Sequence, residues 1–384
     1  MTRANGQSSP YLYEGDFLRL LLILGVIFTH TETTFTNATT PGSVSHLIFN
    51  ATHVMLHFTR MGFVFVTGLV LTWQYFDRHP NWWHFWVKRY RRIGIPYLVW
   101  ITGLLAGLMM IQHGQLLGIH YWQRWVTTVT NGSGFYMYYL FMIAQLYLVF
   151  PILLWFVEKT RRYHWWVVGL SLVLQLTLLV VIKYVQPTTT THPVWSLILT
   201  HYGTDPLVYQ LYFVLGAVTA VHYQTVAGWL QRHLRLLVSV AVMMSVATIG
   251  LYWFNRDVLL RTNHQAQSIH QPFVALMDIC VIMALLGVSQ WLVQQHRWSL
   301  TRVHGTGQLV FGVYLTQSIF LTAMAGLLRL TNWPSWLYLG LMPLGFVVVM
   351  TATWQFVKML SRYRWTRPLI GLQLDSENKM IKSY

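Results

Sequence analysis

Long apolar runs, broken by short polar and aromatic-rich segments, dominate this chain from residue 16 to residue 359. Runs of about 20 residues with few charges are long enough, as helices rising 1.5 Å per residue, to cross a hydrocarbon core of about 30 Å. The pattern predicts about ten spans, at 16–36, 51–76, 93–112, 135–157, 165–184, 205–222, 236–254, 272–294, 306–329 and 336–359. The sixth is the shortest. No fixed-period repeat or low-complexity linker separates them. The expectation is an all-α integral membrane protein: one multi-pass domain over residues 1–384, with its core at about 12–372, in the cell membrane.

Composition sharpens this reading. The chain is 55% hydrophobic and 9% charged, against roughly 25% charged in an ordinary globular domain. That depletion excludes a single soluble domain. The net charge of +16 does not point to nucleic acid, because the basic residues fall in short clusters between apolar runs, where they set topology. With the N-terminus inside, the inner segments carry Arg3; Arg78, Lys88, Arg89, Arg91 and Arg92; Lys159, Arg161 and Arg162; Arg232 and Arg235; Arg297 and Arg302; and a tail with Lys358, Arg362, Arg364, Arg367, Lys379 and Lys382. The outer segments hold only Arg124, Lys183, Arg256, Arg261 and Arg329. Both termini are therefore expected in the cytoplasm. Cys280 is the one cysteine, which excludes an intrachain disulfide and a cysteine metal site. The first thirteen residues are polar and no small-residue cleavage site follows, so the first span reads as a retained helix and not a signal peptide.

The 79–92 stretch, HPNWWHFWVKRYRR, places an aromatic half at headgroup level and a basic half in water. It reads as an interfacial anchor and orientation signal, or as a docking surface for a polyanionic donor such as coenzyme A. The tryptophans near outer boundaries, Trp195, Trp333 and Trp336, read as interfacial belt more readily than as sugar platforms.

Ionisable groups inside spans cost at least ~2.5–3.5 kcal/mol, so those present point to cavities or partners. Arg19 and His30 stand eleven residues apart in the first span, almost three whole turns. They share a face within ~20°, about 16 Å apart along the axis. A cation near the inner boundary suits the phosphates of a donor, and an imidazole further out suits proton removal from a hydroxyl. A snorkelling arginine and a structural histidine satisfy the same spacing. Glu32 lies two residues beyond His30 and so falls on another helix face, where it orients the histidine or acts alone. His53, His57 and Arg60 follow an i, i+4, i+7 stripe. They form either a polar seam between helices or a cavity wall in which the histidines contact the acceptor and Arg60 meets a developing oxyanion. His53 and His57 lack a third ligand, so no metal or prosthetic group is expected. Asp278, near the outer end of the eighth span, is a candidate partner of Arg60 or Arg329 and a candidate acceptor contact. Asp205 and His201, opening the sixth span, are weaker candidates of that kind.

These residues carry a resemblance. The first span, DFLRLLLILGVIFTHTE, with its Arg, ten residues, then His, is similar to that of the membrane acyltransferase 3 family. GFVFVTGLVL at 62–71, VKRYRRIGIPYLVW at 87–100, YYLFMIAQLYLVFPILL at 138–154, LYFVLGAV at 211–218, FGVYLTQSIFL at 311–321 and RPLIG at 367–371 follow in the family's order. Within that family the chain looks like the branch tied to modification or export of intercellular-adhesion polysaccharide. The resemblance implies that Arg19 and His30 are the essential pair, and that the donor is an acyl-coenzyme A, acetyl or succinyl. Two departures stand out: Tyr136 and Gln317 occupy places where relatives often carry His.

The reading that combines residues and resemblance is an O-acyltransferase acting on an extracytoplasmic glycan or cell-envelope acceptor. Arg19, Arg89, Arg91 and Arg92 would hold acyl-coenzyme A; His30 is the general base; Arg60 and Glu32 assist; His53, His57 and Asp278 face the acceptor. The partners implied are the lipid bilayer, acyl-coenzyme A and the acceptor, with a homo-oligomer left open and no nucleic acid. An exporter of a polysaccharide or polar solute is the alternative, with a membrane sensor behind it.

Overall fold

A computed structural model describes residues 11–113, 119–132, 134–185, 202–295 and 299–372. Arg3, Trp195, His201, Arg297, Lys379 and Lys382 lie outside the described residues. Every regular element among the described residues is helical. In chain order these are α1 (Tyr13–Thr36), α2 (Val44–His53), α3 (Phe58–Tyr75), α4 (Trp82–His113), α5 (Ile119–Asn131), α6 (Tyr138–Lys159) and α7 (His164–Val180). They continue with α8 (Gln210–Val221), α9 (Tyr223–Arg232), α10 (Leu234–Trp253), α11 (Pro272–Gln294), α12 (Leu300–Arg329) and α13 (Ser335–Arg362).

Nine helical segments among the described residues are long and apolar enough to cross a membrane. The protein is an all-α integral membrane protein. The sixth expected span, 205–222, differs. It is the short helix Pro206–Val221, which covers only ~24 Å at 1.5 Å per residue and falls short of the hydrocarbon thickness. Asp205 caps its start, its carboxylate accepting from the Leu207 N–H at 2.9 Å, with Pro206 in the first turn. It is buried within the bundle rather than exposed to lipid, with Leu211, Tyr212, Phe213, Ala217 and Val218 all buried. Its contact with α3 is backbone to backbone. A Cβ on Gly216 would lie 2.8 Å from the Leu69 nitrogen, and one on Gly68 would lie 3.1 Å from the Phe213 carbonyl carbon. Small residues let helices approach this closely in membranes, where dispersion and not water drives association.

Other boundaries moved for local reasons. The second span is continuous over Val44–Tyr75, yet a 3-10 turn at Val54–Leu56 separates α2 from α3. The turn VML is as apolar as its flanks, so hydropathy hides it. The helix of the third span starts earlier than expected: from Trp82 onward the 79–92 segment is the first part of α4. The amphipathic α5 was not foreseen. Its Trp125 donates to Thr102 at 2.9 Å, tying it to α4.

α1 is the central helix, touching α2, α3, α11, α12 and α13, with Leu18, Leu22, Ile23 and Ile27 fully enclosed. One face of the bundle gathers much of the basic sequence. There the Arg92 Nε donates to the Gly371 carbonyl at 3.0 Å, Arg161 pairs with Asp77, and the start of α12 meets the start of α1 through His304 and Asp16. Residues 11 and 372, the two ends of the described chain, lie on this same face.

Candidate active site

Three cavities follow α1 from the basic face toward the other side. The first, about 410 Å³, is lined by Arg19, Lys88, Arg89, Arg92 and His304, among others. Asp16 organises it. This carboxylate is 1% exposed and accepts from the Arg19 Nη1 at 3.0 Å, the Tyr11 hydroxyl at 2.7 Å and the His304 Nδ1 at 3.1 Å. Gln308 completes the chain, its amide donating to the His304 Nε2 at 2.8 Å. Each buried polar group of this clasp is thereby satisfied. Burial, and then the Asp16 charge, raise the Tyr11 pKa, which keeps that hydroxyl a donor. A Cβ on Gly307 would lie 2.8 Å from the Asp16 side chain, so only glycine leaves room for the carboxylate. Arg91 was expected here with its neighbours. It is exposed on another side of α4 and does not line the cavity, since the 100° step per residue turns it away from Arg89 and Arg92.

The second cavity, about 220 Å³, is lined by His30, His53, His57, Arg60, Tyr136, Tyr138 and Thr59, among others. His30 stacks on Tyr136, ring centroids 3.7 Å apart and planes 27° apart. Tyr136 is held there by an unusual turn. Phe135 and Tyr136 have φ of 50° and 62°, left-handed backbone that costs a non-glycine residue about 1–3 kcal/mol and collects at functional sites. Two hydroxyls of α12 pin the turn: Tyr314 donates to the Tyr136 carbonyl, and Ser318 to the Phe135 carbonyl at 2.8 Å. Gln317, the other departure from the resemblance, is fully buried on α12. Neither of its amide atoms finds a partner among the described residues.

Arg60 reaches two tyrosines. Its Nη1 donates to the Tyr209 hydroxyl at 2.9 Å and its Nη2 to the Tyr138 hydroxyl at 2.5 Å. Tyr209 in turn donates to the Gly203 carbonyl at 2.8 Å. Glu32 does not serve His30. It is 1% exposed, and its Oε1 accepts from Thr52 at 2.6 Å while its Oε2 pairs with the His53 Nδ1 at 3.1 Å. His53 stands edge-on to His57 at 4.7 Å. The 3-10 break places the i, i+4, i+7 stripe in two helices, yet its three members still share one cavity.

Asp278, expected at the acceptor, lines none of the three cavities. It is fully buried and accepts from the Tyr212 hydroxyl at 3.1 Å. No ion pair joins it to Arg60 or Arg329 among the described residues. Its place in α11 turns it toward α8, a helix the hydropathy pattern could not orient.

The third cavity, about 560 Å³, opens beyond the histidines and includes His46, Asn50, Lys183, His264, Gln265 and His270 in its wall. Adjacent cavities share walls. Phe63, Tyr139 and Tyr314 line both the basic and the central one, and Thr33, His53 and His57 line both the central and the outer one. Arg19 thus sits in the first chamber and His30 in the second, on one face of one helix. The sequence had not singled out Tyr138, Tyr209, His304, Gln308 or Lys183. Only His304, at the polar start of a span four residues before Gln308, carried a local signal.

A helical membrane bundle with cations at one end of a polar seam and imidazoles at its middle has the features of a membrane transferase. The chain matches the acyltransferase domain of the acyltransferase 3 family over residues 12–357, and it belongs to that family. Neither the curated proteins nor the solved structures gave a match.

Proposed function

We propose that the protein is an O-acyltransferase of the cell membrane, moving an acetyl or succinyl group from acyl-coenzyme A to a hydroxyl of an extracytoplasmic glycan, in the manner of the surface-polysaccharide branch of its family. The observation that carries this reading is the shared wall between the Arg19 cavity and the His30 cavity. It offers a route by which a thioester arm from the basic face reaches imidazoles that a second ligand approaches from the other side.

In this reading the donor phosphates rest against Arg19, Lys88, Arg89 and Arg92, where charge-assisted hydrogen bonds are strongest. The thioester passes Phe63, Tyr139 and Tyr314 into the central cavity. His30 takes the proton of the acceptor hydroxyl, whose oxygen attacks the thioester carbonyl carbon. Arg60 stabilises the oxyanion of the tetrahedral intermediate. The carbon–sulfur bond then breaks, and the imidazolium returns its proton to the departing thiolate, so the products are the ester and coenzyme A thiol. The Glu32–His53 pair holds the His53 proton on Nδ1 and leaves Nε2 base-competent, which gives the cavity a second oriented imidazole.

Acyl-coenzyme A turnover by the purified protein, with glycan acceptor present, tests this reading. His30→Ala is expected to lose at least 100-fold in kcat, the scale of a general base. Undiminished transfer by that variant would remove the mechanism.

A further inference from the structure

The outer cavity has a cation that the chemistry above does not use. Lys183 lies on a single π-helical turn, Val181–Val185, at the end of α7. Such turns are rare and are often found at functional sites. The residue is 2% exposed and lines the outer cavity. Its ammonium donates to the Gln265 carbonyl, which uses one of three donor hydrogens. Among the described residues, no carboxylate forms an ion pair with it. Arg261 is close enough to add to the positive field at this position.

Among the described residues, the eight side-chain carboxylates have their places away from Lys183. Glu32 is engaged by His53 and Thr52. Asp205 caps its own helix, Asp257 pairs with Arg256, and Asp278 bonds Tyr212. Asp16, Asp77 and Glu158 belong to the basic face, Glu14, in the first turn of α1, meets Tyr223, and Asp375 and Glu377 lie outside the described residues. The 186–201 sequence contains neither Asp nor Glu. Besides Lys183, Ile182 and Ile269, the wall of the outer cavity is made of histidines, amides and hydroxyls.

Buried ammonium groups are costly unless paired, and the cavity that Lys183 lines is large enough to admit an anionic ligand. We propose that the outer cavity is an acceptor site for a negatively charged ligand, a carboxylate or phosphate seated on Lys183, with its hydroxyl extending past His53 and His57 toward His30. The naming of this ligand as the acceptor rests on the acyltransferase reading; the site itself does not. Two sources offer the required anion: a uronic acid within the glycan, or the phosphate of a lipid-linked carrier.

Equilibrium binding to the full-length protein in lipid nanodiscs tests this, with no acyl-coenzyme A present. The probes are a tetragalacturonate, a polyprenyl phosphate, and the neutral tetrasaccharide maltotetraose. Tighter binding of one anionic probe than of the neutral sugar supports the site, and the probe that binds identifies the source. Lys183→Gln is expected to weaken that probe at least tenfold, and Lys183→Arg to recover most of the loss. Equal binding of charged and neutral probes, failure of both anions to bind, or indifference to Lys183→Gln would each overturn it. The wild-type comparison needs no variant, so a misfolded Lys183→Gln does not shelter the proposal. Because the donor is absent, failure here is distinct from failure of the turnover assay.

Discussion

Glu32 and His53 face each other across the α1–α2 contact, carboxylate to Nδ1 at 3.1 Å, with Glu32 almost wholly enclosed. A carboxylate so placed fixes the imidazole tautomer. Glu32→Gln keeps the size of the side chain and can still accept from Thr52, but offers His53 an N–H in place of an oxygen. It is expected to lower kcat about 100-fold with little change in the Kd of acyl-coenzyme A, whose proposed place is another chamber. Steady-state turnover and donor binding, measured together, check this; a kcat within threefold of the parent would show that the pair is only structural.

Arg19 lines the basic-face cavity, the one proposed for the donor, while anchored on Asp16. Its removal takes away a charged hydrogen-bond donor, an effect of about 1.5–3 kcal/mol, which corresponds to roughly ten- to 150-fold in donor affinity. Arg19→Ala is expected to show this in acyl-coenzyme A binding. Gly307→Ala, which crowds Asp16, is expected to weaken donor binding in the same direction without touching a cation. Unchanged affinity in both variants would place the donor elsewhere.

Tyr136 supplies the ring under His30 from a strained turn. Tyr136→His retains a flat ring and is expected to keep transfer within a few-fold of the parent. Tyr136→Ala loses the stack, an interaction of about 0.5–1.5 kcal/mol, and is expected to slow transfer about tenfold. Equal rates for the two would deny the ring a positioning role.

The α3–α8 contact depends on Gly68 and Gly216. Gly216→Val forces backbone apart at a point where no flexible side chain can yield. It is expected to destabilise by 1–3 kcal/mol or more, the range for overpacked cores, read as a lowered Tm in detergent. The Arg60–Tyr209 bond spans this same junction, so transfer activity should fall with it. A Tm and activity equal to the parent's would contradict the close approach.

His270, just before α11, is 4% exposed and stands edge-on to Tyr202 at 4.9 Å. Burial, with the Arg60 charge adding to it, pushes its pKa down to about 3, against an unfolded value near 6.5. Between these values the unfolded chain binds the proton and the folded one does not. Stability is therefore expected to hold above about pH 6.5 and to fall as pH drops from there toward 3. Thermal unfolding across that window should show a slope that His270→Gln reduces; an identical slope in the variant would deny His270 that part.

The eleven-residue spacing of Arg19 and His30 could be read from the sequence as one face of one helix, because the α-helical period links those positions directly. The partners of the site were not readable in that way. Arg60 bonds Tyr138 and Tyr209, which lie 78 and 149 positions away, and hydropathy says nothing about which way a membrane helix is rotated against its neighbours. Asp278 was misplaced for that reason. The 54–56 turn was missed because its residues are as apolar as a continuing helix.

By itself, then, the sequence determined the class of fold, most span positions and the basic face, since these depend on local apolar length and on charge placement. Only the tertiary structure decided that Glu32 serves His53, that Tyr136 lies on His30, and that three chambers line up along α1. Those facts depend on how segments distant in sequence pack, through contacts such as Gly68 on α8 that no single helix encodes.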